Sequence, residues 1–179
     1  MASERMQRNS IASLKTAGMV DPVSDHDQME GILWASFKNR MGQAQGISMG
    51  FDLTNLIQPI QGLEELSQPF SDDEIKKVLK ELPPDRAPGP DGFNGLFVKL
   101  CWPIIEQDFR RLIQDFYEGK LSLENINGSL ITLIPKMLSP EGPDDLRPIF
   151  LTNTCLKFLT KLLANRLQKV ILCCIHKNQ

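Results

Sequence analysis

Long apolar runs are scarce in this 179-residue chain. The stretch near the C-terminus, Val170 to Ile175, falls far short of the roughly 20 residues a membrane-spanning helix needs, so a spanning segment is not expected. A signal peptide is not expected either, because Met1-Ala-Ser-Glu-Arg-Met-Gln-Arg8 puts charges where the apolar region should lie. The expectation is an intracellular, non-secreted protein of nucleus or cytoplasm, in a reducing compartment. Cys101, Cys155, Cys173 and Cys174 form no Cys-x-x-Cys pair, and adjacent Cys173 and Cys174 lack the spacing of a zinc site, so all four are expected to be plain thiols. With 12 Gly, 12 Pro and 41% apolar residues, the chain has neither the composition of a low-complexity tract nor that of a wholly disordered one. Its length suits one ordinary domain.

Catalytic and nucleotide fingerprints are also missing. His26 and His176 lie near opposite ends in polar surroundings, and neither belongs to a nucleophile motif. No Gly-x-x-x-x-Gly-Lys cradle or dinucleotide fingerprint occurs. Asn127-Gly-Ser129 matches a glycosylation acceptor that an intracellular chain leaves unused. Acids are absent from residues 146–179, which hold 6 of the 20 Lys and Arg, while residues 1–145 hold all 22 acids. That basic C-terminal segment suits a phosphate backbone or another polyanion; on charge alone a solvated helix face fits equally well.

Residues 1–69 read as a variable region, with one helix over Asp25 to Met41 that Gly42 stops, then a linker from Gln43 to Gln68 with a short turn around Leu53 to Ile57. Ser71-Asp-Asp-Glu74 has capping-box spacing, so a helix starts there and ends at Pro83-Pro84. Four prolines make Pro83 to Gly92 a rigid turn segment. A short helix over Phe93 to Leu100 should break near Pro103, with a longer one over Ile104 to Tyr117. Leu130-Ile-Thr-Leu-Ile134 reads as a strand stopped by Pro135, and Arg147 to Leu151 as its hairpin partner. Asn153 then caps a helix over Thr154 to Cys173, with Leu156, Leu159, Leu163, Leu167 and Val170 on its apolar side. Lys136 and Arg147 flank the hairpin turn, where a point charge and a bidentate fork could meet a triphosphate; solvated hairpin charges are the plainer reading.

Several of these segments, in this order and spacing, resemble a known family. Phe70-Ser-Asp-Asp-Glu-Ile-Lys76, Pro83-Pro-Asp-Arg-Ala-Pro-Gly-Pro-Asp-Gly-Phe93, Cys101-Trp102, Leu130-Ile-Thr-Leu-Ile-Pro-Lys136, Leu146-Arg-Pro-Ile149 and Lys161-Leu-Leu-Ala-Asn-Arg-Leu167 look like the opening of a plant LINE-type (non-LTR) retrotransposon reverse transcriptase. The resemblance runs from Phe70 to Gln179. It implies an α+β, mostly helical fold: the fingers of a right-hand polymerase with a small antiparallel hairpin, and no palm core. Residues 70–179 would be the N-terminal part of the polymerase domain, and residues 1–69 its variable linker.

The same resemblance makes Lys136 and Arg147 holders of the incoming nucleotide's triphosphate. It places Arg86, Lys157, Lys161 and Arg166 near template RNA or an RNA/DNA duplex. Mg²⁺ serves the complete family enzyme through palm carboxylates that this chain does not contain. Asp72-Asp73 and Asp144-Asp145 lack that palm context, so no catalytic residue, metal ligand or cofactor is expected here, and no polymerase activity from this chain alone. A palm supplied by another polypeptide would be a partner. Leu146 stands where the family has Phe, and Phe150 where Ser is common, departures that resemble drift in a decayed copy. Two other readings stay open: a non-catalytic RNA-binding module on the basic helix, and an inert, partner-dependent helical protein with exposed apolar faces.

Overall fold

A computed structural model of the chain describes residues 10–15, 21–42 and 63–174. The turn expected around Leu53 to Ile57, His176 and the thiols of Cys173 and Cys174 lie outside the described residues. Among the described residues the architecture is mixed and mostly helical, with one two-stranded sheet. No described helix is long and apolar enough to cross a membrane. Contacts divide the chain into two compact units that ignore chain order: residues 1–51 with 131–149, and residues 52–130 with 150–179.

The first unit pairs helix α1, His26–Met41, with most of the hairpin. Asp25 starts α1 by accepting from the Gln28 amide, and Gly42, at φ 70°, ends it in a conformation that costs other residues a Cβ clash. Described residues ahead of α1 make defined contacts. Leu14 is fully buried and bridges Val23 through paired backbone bonds of 2.8 Å, and the Lys15 amide donates to the Glu141 carbonyl. Arg40 on α1 reaches Asp144 in the hairpin turn at 2.5 Å.

Strands β1, Ser129–Pro135, and β2, Leu146–Thr152, form the hairpin. The Lys136 amide donates to the Asp145 carbonyl at 2.7 Å, which sets those two residues opposite each other at the ladder's end. Hydrogen-bonded and non-bonded pairs alternate from there, so Pro135 and Pro148 both fall at non-bonded positions, where a missing N–H costs nothing. Leu146, where the family resemblance would put Phe, is buried, whereas Phe150 is half exposed.

In the second unit, helices α2, Asp72–Glu81, α3, Gly95–Tyr117, and α4, Thr154–Cys174, enclose one core. The Ser71/Glu74 capping box forms in both directions. Ile75, Val78 and Leu82 meet Val98 and Ile113 of α3 and Phe158, Leu159 and Leu162 of α4. Trp102 stacks on Phe158 with centroids 5.7 Å apart, and Phe109 meets the same ring edge-on at 5.2 Å.

Two expectations fail in this unit. Pro103 does not break a helix in two, since α3 runs through it for 23 residues. A mid-helix proline costs about 3 kcal/mol, but Phe97, Val98, Trp102, Ile105, Phe109 and Ile113 reach the core from both sides of it, and exposed Pro103 faces away. The second failure is the face of α4. Phe158, Leu159 and Leu162 turn inward, while Leu163 and Leu167 are 41% and 46% exposed.

Candidate functional site

The hairpin brings its two cations to its turn end: Lys136 is the first residue after β1, and Arg147 is the second residue of β2. Both side chains are exposed. The Lys136 ammonium rests on the Asp144 carbonyl at 2.6 Å, a single bond to a surface carbonyl that a phosphate oxygen can replace. The Arg147 side chain has no hydrogen bond or ion pair among the described residues. The turn is stiffened by Asp145, whose carboxylate accepts from the Glu141 and Gly142 amides.

Ile131 and Leu133 of β1 line a cleft of about 490 Å³ with Met29, Leu33, Trp34 and Phe37 of α1, so the side of the strand that carries them faces α1.

The second unit holds the other four sequence-assigned cations, and they divide. Arg86 is exposed on the proline-rich loop. Lys157, on the first turn of α4, donates to the Ala87 carbonyl at 2.8 Å, so these two cations share one loop–helix junction. Lys161 lies 3.3 Å from Glu81, whose carboxylate also accepts from Asn165 and is held below the usual carboxylate range, chiefly by that amide bond.

Arg166 is of a different kind. It is buried, and its guanidinium donates to both oxygens of Glu74, at 2.7 and 2.8 Å, and to the carbonyls of Leu66, Gln68 and Pro69. It also stacks 4.0 Å from the centre of the Phe70 ring. Five N–H groups meet five acceptors, so none is left over for a phosphate. Its place among the template-facing cations is corrected accordingly.

Sequence reasoning missed the residues that hold the loop. Asn153 does not spend its side chain capping α4: its Oδ1 accepts from the Asp91 amide and its Nδ2 donates to the Ile126 carbonyl, both at 3.1 Å. Thr154 donates to the Phe93 carbonyl at 2.6 Å. Asparagine ahead of an apolar helix has the same local signature in either role, and only the fold brings Asp91 to it.

The acid pairs are engaged where they stand. Asp72 pairs with Arg110, which lowers its pKa, and Asp144 pairs with Arg40. Among the described residues no three His, Cys, Asp or Glu side chains gather to hold a metal ion. Burial raises the Cys155 thiol, which suits a structural role and not a nucleophilic one.

No protein-family model matches the chain. Over 117 residues it is 30% identical to the transposon TX1 uncharacterized 149 kDa protein of Xenopus laevis. This chain is similar to a transposon protein. The match takes in 65% of the chain, which spans only 9% of the length of that relative.

Proposed function

We propose that this chain supplies the fingers of an RNA-directed DNA polymerase of the LINE-type (non-LTR) retrotransposon kind, and that by itself it binds nucleotide and RNA without polymerising. The observation that supports the reading is that Lys136 and Arg147 are both exposed at the turn end of a stiffened hairpin, in a chain similar to a transposon protein. The ordered motifs from Phe70 to Leu167 support the same reading. Lys136 would meet a phosphate as a point charge, and Arg147 as a two-pronged donor. RNA would cross Arg86, Lys157 and Lys161. Mg²⁺ would be held by palm carboxylates outside these residues.

Titration with a fluorescent deoxynucleoside triphosphate tests the hairpin. Lys136→Ala and Arg147→Ala are each expected to weaken binding about tenfold, the worth of one charge-assisted hydrogen bond. Affinity indifferent to both changes would refute the assignment. Primer extension on an RNA template with Mg²⁺ or Mn²⁺ should give no product; template-dependent incorporation abolished by Lys136→Ala would show that the chain polymerises alone.

A second reading, a non-catalytic RNA-binding module, draws on the acid-free basic segment from residue 146 onward. It predicts RNA affinity that falls steeply with salt while triphosphate binding is absent.

A further inference from the structure

The loop from Pro83 to Phe93 is gripped almost wholly by its backbone. Asn153 accepts from the Asp91 amide, Thr154 donates to the Phe93 carbonyl, and Lys157 donates to the Ala87 carbonyl. Gly89 completes the grip by close approach: a Cβ there would fall 2.4 Å from the Thr152 carbonyl carbon and 2.5 Å from the Asn153 nitrogen. Within the loop the Gly92 amide donates back to the Gly89 carbonyl across Pro90 and Asp91, which makes a closed turn with proline at its second position. Asp85, Arg86, Pro90 and Asp91 are left exposed around this fixed backbone.

Asn153 is the central element of the grip. It is 9% exposed, and its amide joins two segments remote in sequence, the loop at Asp91 and the chain ahead of β1 at Ile126. Both halves of the amide are therefore used, one as acceptor and one as donor.

We infer that Asn153 is a positioning residue, which fixes the 83–93 loop so that Arg86 is presented, pre-aligned, to the phosphate backbone of a single-stranded RNA. The inference rests on the RNA-binding part of the function proposed above. A cation on a prearranged loop binds without the ordering cost a mobile one incurs, so loss of the Asn153 grip should weaken binding with no change of charge.

The test uses the full chain, a single-stranded RNA 20-mer and hydrogen exchange at the Asp91 amide. Asn153→Ala is expected to speed that exchange about tenfold and to weaken RNA binding about fivefold, the range of one or two lost hydrogen bonds. Arg86→Ala should weaken binding similarly and reduce the slope of log affinity against log salt by about one. Combined, the two changes should cost little more than either alone, because both act through one contact. A merely structural role gives losses that multiply, and that result would overturn the inference. If Asn153→Ala does not fold, Thr154→Val removes one donor of the same grip at nearly constant shape and should show the same non-additivity with Arg86→Ala. Unchanged exchange at Asp91 would refute the positioning role itself. Faster exchange with RNA affinity unmoved by Asn153→Ala and by Arg86→Ala would instead refute the RNA reading.

Discussion

Arg166→Ala is expected to remove about 3–5 kcal/mol of folding stability, the cost of breaking a buried ion pair by deleting one partner. The loss has three physical sources. Glu74 would keep its charge at the mouth of the core with no cation beside it. The carbonyls of Leu66, Gln68 and Pro69 would lose their shared donor. Phe70 would lose the guanidinium plane that covers its ring at 4.0 Å. Arg166→Lys should recover less than half, because an ammonium has three donors and no planar fork for the two Glu74 oxygens. Urea unfolding followed by circular dichroism measures both; a loss below about 1 kcal/mol for the alanine variant would mean that the pair is no better than a surface salt bridge.

The same contact gives a pH signature. Glu74 is lowered to about 2 from an ordinary 4.5, first by its hydrogen bonds from Arg166 and then by those from Ser71. A carboxyl that holds its proton less tightly when folded contributes stability above its unfolded value and loses it on acidification. Stability should therefore fall between about pH 4.5 and pH 2, and this acid limb should flatten in Glu74→Gln. An acid limb identical in wild type and Glu74→Gln would show that the group titrates alike in both states.

What the sequence made legible was local. Asp25 and Gly42 bound α1, Ser71-x-x-Glu74 starts α2, and both strands lie within a residue of where β-branched runs and prolines put them. Each signal acts within about four residues, the reach of a cap or a turn. What stayed hidden depends on partners far along the chain. The family resemblance put Arg166 near template RNA because a motif carries the residue and its neighbours and not the Glu74 that lies 92 positions away. Asn153 read as a cap because Asp91 is 62 positions off. The hairpin cations were legible as residues, and the pairing that brings both to one end of the hairpin needed the register set by Lys136 and Asp145.

Phe158→Ala is the second large effect, expected to cost about 3–5 kcal/mol, whereas Leu163→Ala should cost about 0.5 kcal/mol. Phe158 is fully buried between Trp102 and Phe109, so truncation leaves a ring-sized void between two aromatic neighbours that cannot collapse into it. Leu163 is 41% exposed and already gives much of its surface to water. The contrast decides which stripe of α4 is the inner one. Leu156, Leu159, Leu163, Leu167 and Val170 keep ideal three- and four-residue spacing, and so do Cys155, Phe158, Leu159, Leu162 and Arg166. The second stripe is the one that packs, and it is hard to see because it ends in a cation. Glu74 resolves that: once the guanidinium has a part-buried carboxylate partner, Arg166 behaves as an inward residue, and the helix turns to bring Phe158 with it. Thermal melts of Phe158→Ala and Leu163→Ala side by side test the rotation directly, and equal losses would place the leucine stripe inward after all.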